Sequence, residues 1–358
     1  MEEYVMKKLL LFFIAALALL CGCASPVKDG YEVMVLGDLH YDGMEYHTSA
    51  AISSNRAKER VRNCTMWKDA TPKLLEAAAK NLNSDIPFII QAGDFTQGDC
   101  DTFALHEKMI RDGFVKVKSY FPNHKFLPVR GNHDIRMLKG NSSVPTVNAF
   151  FPLIAKELGV EKVSGTYTVR HDKDLYIFFD GFLPKKQGIN SLKKALADTP
   201  GVRYTFFITH LPVLNCSTGS PAWLVRDYKA VRQLLLERNA IIITAHTHVP
   251  SLIQAKRNGK QLTQVVLSSV GKDWVPGSKP VVNISGLDNF CKAVGPRKLA
   301  RKSIKASIDD MRRFELPVYE LYKFKSCTGF AKLKVSDAGV SIEFYTDGNK
   351  PAMVKKLR

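Results

Sequence analysis

The chain has 358 residues, of which 45% are hydrophobic and 24% are charged, an ordinary composition for a soluble globular protein. A chain of this length buries enough apolar surface to be stable without disulfides or a structural metal, so any metal site is expected to be catalytic. The formal net charge of +18 favours an anionic partner: a phosphate-bearing substrate, an acidic glycan, a lipid headgroup surface or nucleic acid. A solvated basic surface explains this charge equally well.

The N-terminus has the pattern of a secretory signal. Lys7 and Lys8 precede an apolar run over residues 9–20, which is shorter than the roughly 20 residues needed to span a bilayer. The run ends in Leu-Cys-Gly-Cys at Cys23, which resembles a bacterial lipoprotein signal. This pattern predicts cleavage before Cys23 and acylation of that cysteine. The alternative is an ordinary signal peptide with an incidental cysteine.

The signal sets the expected organisation and location of the chain. Residues 1–23 are the predicted signal, residues 24–30 a linker, and residues 31–358 a single domain with a C-terminal β-hairpin elaboration. We expect an exported lipoprotein of the bacterial cell envelope, held at the membrane by the lipid on Cys23. Five cysteines follow, without a CxxC pair, so thiolate metal binding is not expected and any disulfide pairing stays open.

Strands and helices alternate through the first part of the domain. The predicted strands cover residues 31–36, 87–91 and 125–129, and the predicted helices cover residues 71–82 and 102–120. Residues 41–67 are polar and irregular, and predict a loop that crosses over an active face. In this part of the chain, each predicted strand is followed by a cluster of polar residues.

The same alternation continues toward the C-terminus. Further predicted strands cover residues 167–170, 175–180, 204–209 and 240–244, and further helices cover residues 189–197 and 224–238. Two hairpins turn at Asn258-Gly259 and near Asp337-Ala338-Gly339. Between them, residues 296–313 are strongly basic and predict a surface helix or loop. The alternation predicts an α/β fold, and the hairpins make its sheets mixed.

Polar side chains follow five of the predicted strands. These clusters are Asp38 with His40, Asp94, Asn132 with His133, His210, and His246 with His248. Five of the nine histidines fall in them, and ligands of open α/β sheets bind at the carboxyl ends of strands. The sequence therefore predicts one site at this edge. The remaining histidines are expected to be structural.

The residue types suit two divalent transition metals, since imidazole and carboxylate together fit manganese, iron or zinc. Alternate residues of an extended chain share a face, so Asp38 and His40 are expected to reach the same metal, as are His246 and His248. A shared carboxylate would relieve the repulsion between two neighbouring cations, and Asp94 is the natural candidate. Asn132 offers a neutral carbonyl oxygen.

The ordered set Asp-x-His, Gly-Asp, Gly-Asn-His-Asp, His-x-Pro and His-Thr-His resembles the calcineurin-like metallophosphoesterase family over residues 33–250. The resemblance implies a four-layer αββα sandwich of two mixed sheets flanked by helices. It also implies a phosphate-ester hydrolase in which a water bridging two metals attacks phosphorus. One departure is Ala245, where the family usually has glycine.

The resemblance also assigns roles to individual residues. One metal would be held by Asp38, His40, Asp94 and His248, and the other by Asp94, Asn132, His210 and His246. His133 would not bind metal but would protonate the leaving oxygen, and Asp134 would orient His133.

Three functions stay open on the sequence alone. Hydrolysis of phosphate monoesters or diesters outside the cytoplasm is the leading hypothesis. A nuclease or cyclic-nucleotide phosphodiesterase would use the same site, although no nucleic-acid module is visible. A non-catalytic surface lipoprotein that binds a polyanion is the third, and the complete ligand set speaks against it. The substrate and the oligomeric state are not indicated.

Overall fold

A computed structural model describes residues 30–48, 53–83, 85–197, 201–219, 223–271, 275, 277–323 and 328–358. The predicted signal and the acylation site at Cys23 lie outside these ranges. Among the described residues, none of the helices has the length and apolar character that a bilayer crossing requires.

The first of two sheets has six strands and begins the domain. Its strands are β1 (Gly30–Leu36), β2 (Phe88–Gln91), β3 (Lys125–Pro128), β12 (Phe330–Ser336), β13 (Gly339–Tyr345) and β14 (Pro351–Lys356). Their order is β14-β13-β12-β1-β2-β3, with β1, β2 and β3 parallel and the others antiparallel. The C-terminal hairpin, expected as an elaboration, is thus an integral part of this sheet.

The second sheet has eight strands. They are β4 (Tyr167–His171), β5 (Asp174–Phe178), β6 (Thr205–Ile208), β7 (Ile241–Thr244), β8 (Ser251–Arg257), β9 (Lys260–Val266), β10 (Val281–Ser285) and β11 (Glu315–Lys323). Their order is β10-β11-β8-β9-β7-β6-β5-β4, and β5, β6, β7 and β9 run parallel. The hairpin predicted at Asn258-Gly259 joins β8 to β9.

Nine α-helices are described. They are α1 (Ser54–Lys68), α2 (Ala70–Lys80), α3 (Phe103–Tyr120), α4 (Phe151–Leu158), α5 (Lys185–Ala197), α6 (Tyr228–Leu236), α7 (Leu287–Val294), α8 (Pro296–Leu299) and α9 (Lys302–Met311). The basic segment predicted over residues 296–313 corresponds to the two short helices α8 and α9.

The two sheets pack face to face, and the helices cover their outer faces. Val33 and Ile90 of the first sheet share a buried cluster with Phe178 and Ile243 of the second. The outer face of the first sheet packs on α2, α3 and α4, and that of the second on α5, α6 and the α7–α9 segment. The burial of apolar side chains on both faces of each sheet holds these layers together. The predicted four-layer αββα sandwich is therefore confirmed.

The predicted loop over residues 41–67 is wrong in its second half, which forms helix α1. The sequence of α1 is largely polar, and its buried hydrophobic side chains, Cys64, Met66 and Trp67, gather near its end. A helix with such a short apolar stripe gives little periodic signal, because its stability comes from tertiary contacts. Ser53 caps the start by accepting a hydrogen bond from the Arg56 backbone N–H at 3.4 Å.

Candidate metal centre

All five polar clusters lie at the carboxyl ends of parallel strands. Strands β1, β2 and β3 of the first sheet lead into Asp38 and His40, Asp94, and Asn132. Strands β6 and β7 of the second sheet lead into His210, and into His246 and His248. Because the two sheets face each other, these turns meet at one edge. The candidate site is built from both sheets.

The backbone of this edge differs from the extended chain that the sequence suggested. His40, Asp94, His246 and His248 all have positive φ, between 45° and 69°. Such left-handed residues cost of order 1–3 kcal/mol each, and they persist only where the surroundings fix them. The pairing of Asp38 with His40, and of His246 with His248, was expected because alternate residues of an extended chain share a face. That explanation is wrong. Tight turns bring these side chains together.

One group of side chains gathers around Asp38, His40 and His248. His248 Nε2 lies 3.4 Å from Asp38 Oδ1 and 3.3 Å from His40 Nε2. His40 Nε2 in turn lies 4.0 Å from Asp94 Oδ2. The ligand-type atoms of Asp38, His40 and His248 are close enough to coordinate one metal ion, and Asp94 forms overlapping groups with His40 and with His210. The four residues are those assigned to the first metal from the sequence.

A second group gathers around His210. Its Nε2 lies 3.2 Å from Asp94 Oδ2, 3.1 Å from Asn132 Oδ1 and 3.0 Å from His246 Nδ1. Asp94, Asn132, His210 and His246 are the residues assigned to the second metal. Asp94 faces both groups, as a bridging carboxylate must. Their roles as ligands stay predictions.

Several buried atoms of this centre fit metal binding. Imidazole nitrogens 3.0–3.3 Å apart, as in the pairs His210–His246 and His40–His248, need a proton or a cation between them. Among the described contacts, Asp38 Oδ2 and His246 Nε2 are buried without a hydrogen-bond partner. Buried polar atoms without a partner are costly, so this centre suits cations.

The carboxylates and histidines shift one another's pKa. Burial raises the pKa of Asp38, but the charge and hydrogen bond of His248 bring it down to about 2. Burial likewise opposes ionisation of Asp94, yet His210 and His133 hold its pKa well below the usual range. Burial, followed by the neighbouring His210, lowers the pKa of His246 to about 3. Both carboxylates are therefore ionised, and His246 is neutral, at neutral pH.

His210 behaves differently, and its proton should be displaced by metal. Burial opposes its charge, but the Asp94 carboxylate raises its pKa to about 9. Nδ1 lies 3.0 Å from the Ala92 carbonyl oxygen and donates to it, so the second proton sits on Nε2, where a metal would bind. Metal binding at pH 7 should release about one proton from this site, and apparent affinity should fall about tenfold for each pH unit below 9.

Calorimetric titration of chelator-treated protein with Mn²⁺, in two pH 7 buffers of different ionisation enthalpy, measures this proton release. His124 lies outside the clusters, so His124→Ala should release the same number of protons as the unaltered chain. Binding without proton release at pH 7 would contradict the assignment of His210.

His133 lies beside the two groups with one nitrogen already engaged. Its Nδ1 is 3.0 Å from the Gln97 carbonyl oxygen and donates to it, which leaves Nε2, 3.9 Å from Asp94 Oδ2, facing the centre. The His133 backbone N–H donates to Asp94 Oδ1 at 2.8 Å. Burial lowers the pKa of His133. The ligand-type atoms of His40, Asp94 and His133 also lie close enough together to hold an ion.

Asp134 does not contact the ring of His133 in the way expected from the sequence. Its carboxylate accepts hydrogen bonds from the backbone N–H groups of Phe95, Thr96 and Gly131, at 3.2, 2.7 and 2.7 Å. Burial raises its pKa to about 6, with the charge of Asp94 adding to the shift. Asp134 fixes the turn between Asp94 and Gln97. It can orient His133 only indirectly, because this turn carries the Gln97 carbonyl oxygen that holds the His133 ring.

Helix α1 supplies supporting contacts that sequence reasoning missed. The buried Trp67 indole Nε1–H donates to the carbonyl oxygens of Leu39 and His40, both at 3.0 Å. Asn63 Nδ2 donates to Gln97 Oε1. These contacts fix the left-handed turn at His40 and the residue that holds the His133 ring. No short sequence motif predicts these contacts, because they depend on how α1 packs against the rest of the protein.

Trp67→Phe is expected to weaken metal binding about tenfold while leaving the fold intact. Phenylalanine keeps most of the buried ring but removes the donor to the turn that carries His40. Loss of a hydrogen bond that orients a metal ligand typically costs about 10–100-fold in metal affinity. Competition of the loaded protein against a chelator measures this loss. Phe103→Leu, which changes an exposed aromatic residue at the start of α3, is the control. Unchanged affinity in Trp67→Phe would refute a role for the indole N–H.

Comparisons with known proteins agree with this architecture. A sequence profile described as calcineurin-like phosphoesterase matches residues 31–250. The solved structure of a purple acid phosphatase from yellow lupin (Lupinus luteus) seeds has a TM-score of 0.52 and 12% identity, covering 91% of this chain and 53% of the lupin chain. A dimetal phosphatase from Danio rerio has a TM-score of 0.52 and 12% identity, covering 92% and 99%. No curated protein matches in sequence.

Fold, site geometry and profile together define the family of this chain. The two structural similarities support the fold alone, and this chain spans about half the length of the lupin phosphatase. The profile covers more than half of the chain and decides the family. The chain belongs to the calcineurin-like phosphoesterase family, whose cofactor is a pair of metal ions, and the predicted resemblance is confirmed.

Proposed function

We propose that this protein hydrolyses phosphate monoesters or diesters outside the cytoplasm. The observation that carries the proposal is the arrangement of two ligand groups around one carboxylate, Asp94, which lies 3.2 Å from His210 and 4.0 Å from His40. A centre that places two cations side by side suits attack on phosphorus, because both the attacking and the leaving oxygen gain charge.

Seven side chains would hold the ions in this proposal. Asp38, His40, Asp94 and His248 hold one, and Asp94, Asn132, His210 and His246 hold the other. When bound, the ions supply an acidified water and polarise the phosphoryl oxygens. Asp38 and Asp94 balance only half of the charge of two divalent cations, so the loaded centre attracts an anionic phosphate.

His133 would handle the proton of the leaving group. Because Nδ1 donates to Gln97, the ring is held with Nε2 toward the centre. In its protonated state this nitrogen is positioned to donate to the departing oxygen, and a positioned acid of this kind contributes about 10²–10⁴-fold to the rate. The Gln97 carbonyl therefore sets which nitrogen acts.

Metal removal and reloading test the proposal directly. Protein stripped by a chelator should lose activity on 4-nitrophenyl phosphate, and Mn²⁺, Fe²⁺ or Zn²⁺ should restore it, with two ions per chain. The same preparations assayed on bis(4-nitrophenyl) phosphate give the ratio of monoester to diester turnover. A fully loaded protein that cleaves neither ester would refute the proposed function. A high diester ratio would identify the nuclease or cyclic-nucleotide phosphodiesterase alternative.

We propose further that the chain is exported and anchored in the bacterial envelope through a lipid on Cys23. The support is the signal pattern ending at Cys23 in the sequence. Labelling with radioactive palmitate should mark the unaltered chain but not Cys23→Ala. Unlabelled protein released as a soluble processed form would instead favour an ordinary signal peptide.

A further inference from the structure

An exposed tryptophan lies beside the second ligand group. The Trp223 side chain is 57% exposed, the most exposed of the aromatic residues among the described large hydrophobics. Its ring centroid lies 4.8 Å from that of His246, with the planes tilted by 43°. His246 in turn contacts His210, whose ring centroid is 4.9 Å away. The imidazole ring of His246 therefore separates the exposed indole from the predicted metal position.

Buried neighbours anchor the chain around Trp223. Val225, two residues on, is buried, and its backbone N–H donates to the Pro212 carbonyl oxygen at 2.8 Å. The segment before Trp223 is tied to α8, since Lys298 Nζ donates to the carbonyl oxygens of Thr218 and Gly219, both at 3.0 Å. Among the described residues near Trp223, Thr218, Gly219 and Val225 are therefore held by hydrogen bonds.

The same side of the centre carries a second aromatic ring. Phe182 is half-buried, and its ring centroid lies 6.5 Å from that of His210. Both aromatic residues flank the His210–His246 group, so two aromatic rings lie on this side of the centre. An ester whose phosphate binds at the centre can place its alcohol portion against these rings. A planar ring in that portion can stack on the exposed indole.

We propose that Trp223 stacks against a planar aromatic ring in the alcohol portion of the substrate, which makes aryl or nucleobase-bearing phosphate esters the preferred substrates. This inference rests on the proposed phosphoesterase function. Stacking of a ring on an exposed aromatic side chain is worth enough to change affinity roughly 5- to 150-fold. It gives no such gain for a small aliphatic phosphate ester.

Three substrates and three variants test the inference. Steady-state kinetics are measured with 4-nitrophenyl phosphate, adenosine 5′-monophosphate and glycerol 3-phosphate, for Trp223→Ala, Trp223→Phe and Phe103→Ala. Phe103 begins α3 and is 46% exposed, so it controls for loss of an exposed aromatic residue elsewhere. Trp223→Ala should raise KM at least fivefold for ring-bearing esters, change kcat less than twofold, and leave glycerol 3-phosphate unchanged. Trp223→Phe should retain most of the affinity.

The outcomes separate the inference from the function on which it rests. If Trp223→Ala raises KM only for the nucleotide, the substrate ring that stacks on Trp223 is a nucleobase. If it raises KM only for the aryl ester, that ring is an aryl group. Equal loss on all three substrates, or loss of metal in Trp223→Ala, would overturn the inference and leave the indole as a cover for His246. If the loaded unaltered protein cleaves none of the three, it is the proposed function that fails.

Discussion

Asp94→Ala should lose both metal ions and at least about 10⁴-fold in turnover. The carboxylate faces both ligand sets, with Oδ2 3.2 Å from His210 Nε2 and 4.0 Å from His40 Nε2. Without it, two cations would repel each other across a buried site with no shared negative charge. Metal analysis by plasma mass spectrometry, together with turnover of 4-nitrophenyl phosphate, measures both effects.

Asp94→Asn separates charge from shape in the same position. The amide keeps an oxygen that can accept the hydrogen bond from the His133 backbone N–H, but it lacks the negative charge. We expect this variant to fold as the unaltered chain does by circular dichroism and to bind fewer than two ions. Two tightly held ions in Asp94→Ala would refute the bridging role.

His133→Ala should retain two ions and lose about 10²–10⁴-fold in turnover. The loss should be smaller for 4-nitrophenyl phosphate than for an alkyl phosphate, because nitrophenolate leaves without a proton. His124→Ala is the matched control, since His124 precedes the amino end of β3 whereas His133 follows its carboxyl end. Metal content and turnover of both esters are measured for each variant.

Loss of one ion from His133→Ala would assign this histidine to the ligand group it forms with His40 and Asp94. An equal loss on both esters would argue that the ring stabilises the phosphoryl group rather than donating a proton. Either result would alter the mechanism while leaving the two-metal centre in place.

The positions of the candidate ligands could be predicted because each follows a buried strand. Residues 87–90 and 240–243 are apolar, and the polar residues that follow each run mark the edge of the sheet. The order of the motifs along the chain then identified the family. Because the carboxyl ends of parallel strands lie at the same edge of a sheet, polar residues that are far apart in the sequence form a single site.

The supporting contacts could not be predicted, because they depend on how distant elements pack. Trp67 reaches the His40 carbonyl oxygen only because α1, polar along most of its length, lies against that turn. The Asp134 carboxylate accepts backbone N–H groups from another loop, which sequence spacing does not encode. Trp223 lies beside His246 although the two residues are distant in the sequence. Left-handed residues such as His40 carry no reliable local signal.

The origin of the ligands in two separate sheets has a consequence for maturation. Asp38, His40, Asp94 and Asn132 follow strands of the six-stranded sheet, whereas His210, His246 and His248 follow strands of the eight-stranded one. On the proposed assignment, neither half of the chain offers a complete pair of sites during synthesis, so we expect ion capture to wait until both halves have docked. We then expect the surroundings in which the polypeptide finishes folding, rather than those in which it is translated, to determine which metals it acquires.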